Sequence, residues 1–231
     1  MARLRKEQIP FRLVTNTTSR SRALLVQRLA GYGLNVSAGE VFTATLAGAQ
    51  VAMQAGYRLV APFVPEPALV DMADLELCGG TSGYPRRTPE AVLMGDLGEK
   101  WSYALLQEAF EHVTSGAALI ALSRDRYWLR DGKLALDAGP FVAGLEFAVG
   151  KEAVVAGKPS AAFYTAAIRS MGLAPGKSVA MVGDDLWSDV QGAQRAGLMG
   201  WLVRTGKYRE SALAESGIVP DRILESVAAL S

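Results

Sequence analysis

The residues best suited to chemistry are Asp184, Asp185 and Asp189, in the stretch SVAMVGDDLWSDVQGAQRAGL at residues 178–198. An apolar run at residues 179–182 precedes them, short enough for a strand buried on both faces. Gly183 breaks that run. Asp189 then opens a small-residue helix predicted over residues 188–196, with Ser188 as its N-cap. Strand, acidic loop and helix in that order set the acids at the carboxyl end of a strand, the edge where open α/β sheets bind ligands. Adjacent carboxylates repel and call for a cation. A few hard oxygen donors suit magnesium, which keeps several waters and bridges to substrate phosphate. Read alone, the stretch fits an Asx-type turn with solvated aspartates equally well.

Two other predicted strand ends carry polar residues. Thr15-Asn16 follows a strand predicted at residues 11–14, and Lys158 follows one at residues 153–156, in Gly157-Lys158-Pro159-Ser160. A hydroxyl, backbone amides at a helix start, an ammonium and a carboxylate-held metal are the parts a phosphoryl group requires. Singly, Thr15-Asn16 reads as a turn or cap and Lys158 as a solvated loop lysine. Together, in this order, they favour phosphoryl chemistry.

The elements that must position them follow from periodicity and breakers. Residues 1–8 read as the tail of a helix, ended at Ile9-Pro10. The strand at 11–14 leads to a helix at 19–29 whose apolar face is Ala23, Val26, Leu29 and Ala30, stopped by Gly31 and Gly33. A strand at 41–43 and a helix to about residue 55 complete an αβαβα opening. From Tyr57 the texture changes. Strands are predicted at 58–64, 91–94 and 118–122, a short helix at 66–72, an amphipathic helix at 101–113, a hairpin turning at Asp131-Gly132, and a helix at 141–149. After the strand at 153–156 come a helix at 160–171, with Ala162, Phe163, Ala166, Ala167 and Ile168 on its apolar side, a strand at 201–203 and a C-terminal helix at 223–230. The expectation is an α/β fold, a Rossmann-like doubly wound parallel sheet core (residues 1–56 and 151–231) with an inserted α/β cap domain (residues 57–150).

Composition excludes several classes. The 231 residues are 50% hydrophobic and 20% charged with a net charge of +1, which gives no electrostatic case for nucleic acid or an acidic membrane. No apolar run approaches the length of a membrane span, and no leader is evident. The single cysteine, Cys78, excludes an internal disulfide, fits a reducing cytosol, and reads as a core residue. The sole histidine, His112, reads as packing or surface, and Trp187 as packing, with contact to substrate or a partner as the alternative. Arg126, Tyr127 and Trp128 are cap residues that could overhang a site. Residues 204–209 could close over the site, and by default read as a solvated loop.

VTNTTSRSR, GKPSAAFYTAAIRSMG, VGDDLWSDVQGAQRAG and the following VRTGKYR resemble motifs two, three and four of the haloacid dehalogenase superfamily. The branch with a large α/β cap between motifs two and three is the most similar. The resemblance implies a cytoplasmic, magnesium-dependent phosphatase acting on a small phosphorylated metabolite or pyrophosphate, by analogy a homodimer. It implies that Thr15 and the amide of Asn16 hold the transferring phosphoryl group and that Lys158 neutralises its charge. Asp184 would ligate magnesium, with Asp185 or Asp189 supporting the site through water or through Lys158. An aspartate nucleophile forms an aspartyl-phosphate in such enzymes, and a second aspartate two residues on serves as acid and base.

Those two aspartates belong to a DxDG pattern at the end of the family's first strand, which these residues do not contain. Glu7 precedes the motif-two strand at its wrong end, and Asp71 and Asp74 fall in the insertion. Without that strand, residues 11–14 and 179–182 are each expected to lack a neighbour, at a cost of about 1–3 kcal/mol per unsatisfied buried group. A start codon assigned late, a shortened chain, or a pseudo-enzyme whose sheet closes differently would each explain this, and the first is favoured. The second functional reading is therefore a non-catalytic protein retaining phosphate and metal affinity.

Overall fold

Val60 and Ala61, Leu93 and Val92, and Ile120 and Leu119 are neighbours in sequence whose side chains go to opposite faces of one sheet. The computed structural model describes residues 1–130 and 132–230. The chain divides into two compact units, Met1–Gly157 and Lys158–Ser231.

In the first unit, helix α1 (Ala2–Lys6) precedes strand β1 (Leu13–Thr15), helix α2 (Arg22–Gly31), strand β2 (Val41–Thr43) and helix α3 (Ala44–Gln54). Strands β3 (Leu59–Phe63), β4 (Glu76–Leu77) and β5 (Ala91–Met94) follow. Next come helix α4 (Tyr103–Thr114), strand β6 (Ala118–Ala121), the β7 (Tyr127–Arg130) and β8 (Lys133–Leu136) ribbon, helix α5 (Gly139–Val149) and strand β9 (Val154–Val155). A five-stranded sheet, ordered β4-β3-β5-β6-β9, is parallel throughout. On one face Val60, Val64, Leu93, Ile120 and Leu122 pack with Ala49 and Ala52 of α3. On the other, Ala61, Phe63, Val92, Met94 and Leu119 pack with Ala109 and Val113 of α4 and Val142 and Leu145 of α5. Both faces are covered, which is why these strands are continuous apolar runs. Trp101 stacks between Phe63 and Phe141, at 6.1 and 4.9 Å between ring centroids. Cys78 is fully buried, as expected of a core residue.

In the second unit, helix α6 (Ala161–Arg169), strand β10 (Ala180–Gly183), helix α7 (Gly192–Arg195), strand β11 (Met199–Val203), helix α8 (Glu210–Ser216) and strand β12 (Arg222–Leu224) follow in order. Strands β10, β11 and β12 form a parallel sheet in that order. Leu186, Val190, Leu202 and Ile218 make its core with Tyr208 and Leu213.

Several expectations need correction. Helix α2 has no fully buried residue; Val26 and Leu29 are half-buried while Ala23 and Ala30 are exposed, so its predicted apolar face is only partly covered. The helix expected at 223–230 is strand β12 and a single 3-10 turn, Val227–Ala229, because Ile223 pairs in register with Leu202. Strand pairing overrides helical periodicity here. Short elements β4 and α8 were not expected. Strand β9 hydrogen-bonds to β6 within the five-stranded sheet. Ala162 is exposed, and Tyr164 takes its place on the buried side of α6. Strand β10 is half-buried along its length rather than buried on both faces. Among the described residues, β1 pairs only with β2, and β10 only with β11. The hairpin forms, with Gly132 in the left-handed region; Asp131, the other expected turn residue, lies outside the described residues.

Candidate functional site

Strand β10 ends at Gly183 and delivers Asp184 and Asp185 to a wide helical turn, Leu186–Gln191, that runs into α7. The N-cap is Asp185, not Ser188. Its Oδ1 accepts the amides of Trp187 at 3.1 Å and Ser188 at 2.9 Å. The amides of both Asp189 and Val190 reach the carbonyl of Asp185, which widens the turn beyond α geometry; such turns recur at functional sites. Asp189 therefore lies inside the turn, 4% exposed, rather than at the head of a regular helix.

The three carboxylates have separate partners. Asp189 Oδ1 accepts from Lys158 Nζ at 2.6 Å and its Oδ2 from the Asp185 amide at 3.2 Å. Asp185 Oδ2 accepts from Lys207 Nζ at 2.8 Å. Burial pushes the Asp185 carboxyl up, but the Lys207 ammonium and the Ser188 and Trp187 amides outweigh it and hold it below the usual carboxylate range. Asp184 Oδ2 accepts the amide of Lys207 at 2.7 Å, and no described residue is hydrogen-bonded to its Oδ1. Below the turn, Tyr164 donates its hydroxyl to the Ser188 carbonyl. Burial, with the charges of Asp189 and Asp185, raises the Tyr164 phenol far above its ordinary range.

Close approach explains Gly183. A Cβ there would lie 2.2 Å from Asp189 Oδ2, so any other residue displaces the carboxylate that holds Lys158. Trp187 is 53% exposed, against the packing reading and compatible with its alternative. It helps line a hollow of ≈ 60 Å³ with Asp184, Lys207 and Tyr208.

In the first unit, β1 ends at Thr15, whose Oγ1 pairs with Thr17 Oγ1 at 2.9 Å and accepts the Thr17 amide at 3.1 Å. Asn16 donates from Nδ2 to Asp125 Oδ2 at 3.0 Å. Buried Thr18 accepts the Asp96 amide at 2.8 Å. The loop after β1 is thus tied to the loops that follow β5 and β6. Arg126, Tyr127 and Trp128 are exposed, and His112 packs against Glu108, 3.5 Å away.

Structure therefore brings Asp184, Asp185, Asp189 and Lys158 together in one unit and adds Lys207 and Tyr164. It joins Thr15 and Asn16 to Thr17 and Asp125 in the other. Asp125 sits just past the carboxyl end of an apolar strand, the same signal that marks Asp184. Lys207 gave no signal beyond its place in VRTGKYR. Among the described residues no three histidine, cysteine or acidic side chains converge as a ready metal cage. The donor set fits magnesium all the same: one carboxylate held by an amide, with a second oxygen to offer, suits an ion that retains waters and takes substrate oxygens.

The α/β fold with parallel sheets thus sets a Lys–Asp pair close to a strand-end carboxylate. Two family profiles match, "Haloacid dehalogenase-like hydrolase" over residues 1–77 and "HAD-hydrolase-like" over residues 155–230. Haloacid dehalogenase-like hydrolase domain-containing protein 2 of Rattus norvegicus is 40% identical over 211 residues, covering 90% of this chain and 76% of that protein. Phospholysine phosphohistidine inorganic pyrophosphate phosphatase of Bos taurus is 34% identical over 230 residues, covering 99% and 81%. Among solved structures, p-nitrophenyl phosphatase from Archaeoglobus fulgidus superposes with a TM-score of 0.86 at 27% identity, covering 97% and 86%. Glycerol phosphate phosphatase from Mycobacterium tuberculosis, in complex with magnesium, superposes with a TM-score of 0.79 at 27% identity, covering 93% and 64%. The chain belongs to the haloacid dehalogenase-like hydrolase family.

Proposed function

We propose that this chain carries the phosphate- and magnesium-binding machinery of a phosphatase acting on phosphoric monoesters or pyrophosphate. The observation that carries the reading is Asp184, fixed through Oδ2 by an amide, beside a buried Lys158–Asp189 pair. Asp184 would hold the ion directly, with Asp185 and Asp189 acting through water or through Lys158. The ion would supply Lewis-acid stabilisation of phosphoryl oxygens. Thr15 and the Asn16 amide would hold the phosphoryl group, and Lys158 would neutralise charge developing on it. Residues 57–150 would serve as the cap that selects the leaving group. The relatives and neighbours named as phosphatases support this reading, and a cytoplasmic site of action and a homodimer are carried with it by analogy.

Turnover through an aspartyl-phosphate draws on the DxDG pair, which these 231 residues do not contain. The second reading for this polypeptide is a non-catalytic binder of phosphate and metal. The purified chain is expected to bind inorganic phosphate with Mg2+ present, measured by calorimetry, and to lose that binding in Lys158→Met and Asp184→Asn. It is expected to hydrolyse p-nitrophenyl phosphate at no better than background. Robust magnesium-dependent turnover would overturn the binding-only expectation. Phosphate affinity indifferent to both substitutions would overturn the site.

A further inference from the structure

The loop between β11 and α8, for which closure over the site is the alternative to a solvated loop, touches both members of the Asp184-Asp185 pair. Three contacts are distinct in kind. The Lys207 amide donates to Asp184 Oδ2 at 2.7 Å, and the Lys207 ammonium donates to Asp185 Oδ2 at 2.8 Å. Gly206 has φ +59, and a Cβ built on it would lie 2.0 Å from Asp184 Oδ2. The glycine thus answers two demands at once, a left-handed backbone and the passage of a carboxylate across its α-carbon. The turn is braced from behind, with the Tyr208 amide on the Thr205 carbonyl at 3.1 Å and Arg209 Nη1 on the carbonyls of Gly206 and Tyr208 at 3.3 and 2.6 Å.

We propose that Gly206-Lys207 is the positioning element of the metal site, sorting the two aspartates into different tasks. Two neighbouring carboxylates repel, and a full positive charge on either lowers the demand for another cation there. The ammonium goes to Asp185, whose other oxygen already caps the turn. Asp184 receives only a neutral amide, which fixes its orientation and leaves its charge uncancelled. Its Oδ1 is then the oxygen left for a divalent ion. Partners of this kind, which orient a metal ligand without touching the ion, typically govern 10–100-fold in affinity.

The inference rests on the metal assignment of Asp184, so the experiment separates the two. Mg2+ alone is titrated into the 15N-labelled 231-residue chain, with affinity read from amide shifts, for the wild type and for Asp184→Asn, Gly206→Ala and the double variant. Expected results are loss of saturable binding in Asp184→Asn and affinity about 10–100-fold weaker in Gly206→Ala. Gly206→Ala is expected to melt somewhat lower than wild type, because alanine is strained in the left-handed region, while remaining folded, and the double variant should show no loss beyond Asp184→Asn. In the wild type, the Lys207 amide is expected to shift along the same isotherm as the site. That reading needs no variant and decides the matter if Gly206→Ala fails to fold. Binding lost in Asp184→Asn but unchanged within two-fold in Gly206→Ala, with a silent Lys207 amide, overturns the positioning role and leaves the metal site standing. Binding unchanged in Asp184→Asn overturns the metal site itself.

Discussion

Lys158 Nζ lies 2.6 Å from Asp189 Oδ1, with the two side chains only 12% and 5% exposed. An ammonium this enclosed has exchanged much of its water for protein partners, and the Asp189 carboxylate it meets also accepts the Asp185 amide. The lysine is consequently held in one orientation before any phosphate arrives. Preorganisation of this kind is what an electrostatic stabiliser requires.

Removing one partner of a buried ion pair typically costs about 3–5 kcal/mol. Asp189→Ala is therefore expected to lower unfolding free energy by about that amount in a urea titration. Pairing it with Lys158→Met should recover a large part of the loss. Equal destabilisation in the single and double variants would show that Asp189 acts through packing rather than charge.

Asp185 sets an acid limit. Its folded pKa is below its ordinary value, so its contribution is fully present above the unfolded value near ~3.9 and is lost as pH falls through the folded one. Lys207→Met removes the ammonium while burial persists, so the folded pKa rises. The acid-unfolding midpoint, followed by circular dichroism, is expected to move to higher pH in Lys207→Met. An unmoved midpoint would mean that the Ser188 and Trp187 amides carry the carboxylate alone.

Tyr164 closes the floor of the turn by bonding the Ser188 carbonyl. Tyr164→Phe leaves that carbonyl unsatisfied, at about 1–3 kcal/mol. Its phenol is also pushed well above the ordinary range. Ultraviolet titration of the wild type should show one phenol that resists ionisation while the fold persists, and that phenol should be missing from Tyr164→Phe.

Asn16 donates to Asp125 across 109 residues of sequence. Asn16→Asp sets two carboxylates face to face and should raise the pKa of one of them. Stability of Asn16→Asp should thus improve on moving from neutral pH toward pH 5, opposite to the usual acid trend. Asp125→Asn in the same background is expected to abolish that dependence. A flat profile in Asn16→Asp would indicate that the two loops separate without cost.

Legibility in the sequence followed the strength of local signals. Runs such as Ala91–Met94 and Val41–Thr43 announced strands whose bounds the structure reproduces, because strands covered on both faces have little choice but continuous apolar residues. The failures share one cause. Ile223 looked helical by spacing yet pairs beside Leu202. Ser188 looked like a cap, yet the helical turn opens three residues earlier, on the carboxylate of Asp185, which accepts the Trp187 and Ser188 amides. Spacing along the chain does not record what a neighbouring segment offers.

Composition and motif spacing alone determined the family resemblance, the α/β class and the acids that end β10, since these depend on residue type and local order. Tertiary structure alone decided which charge each aspartate meets: Lys158 for Asp189, the Lys207 ammonium for Asp185, and only an amide for Asp184. Those pairings join residues 22 to 31 positions apart. Coulombic and hydrogen-bond energies are set by distance in space, which the chain fixes only when it folds.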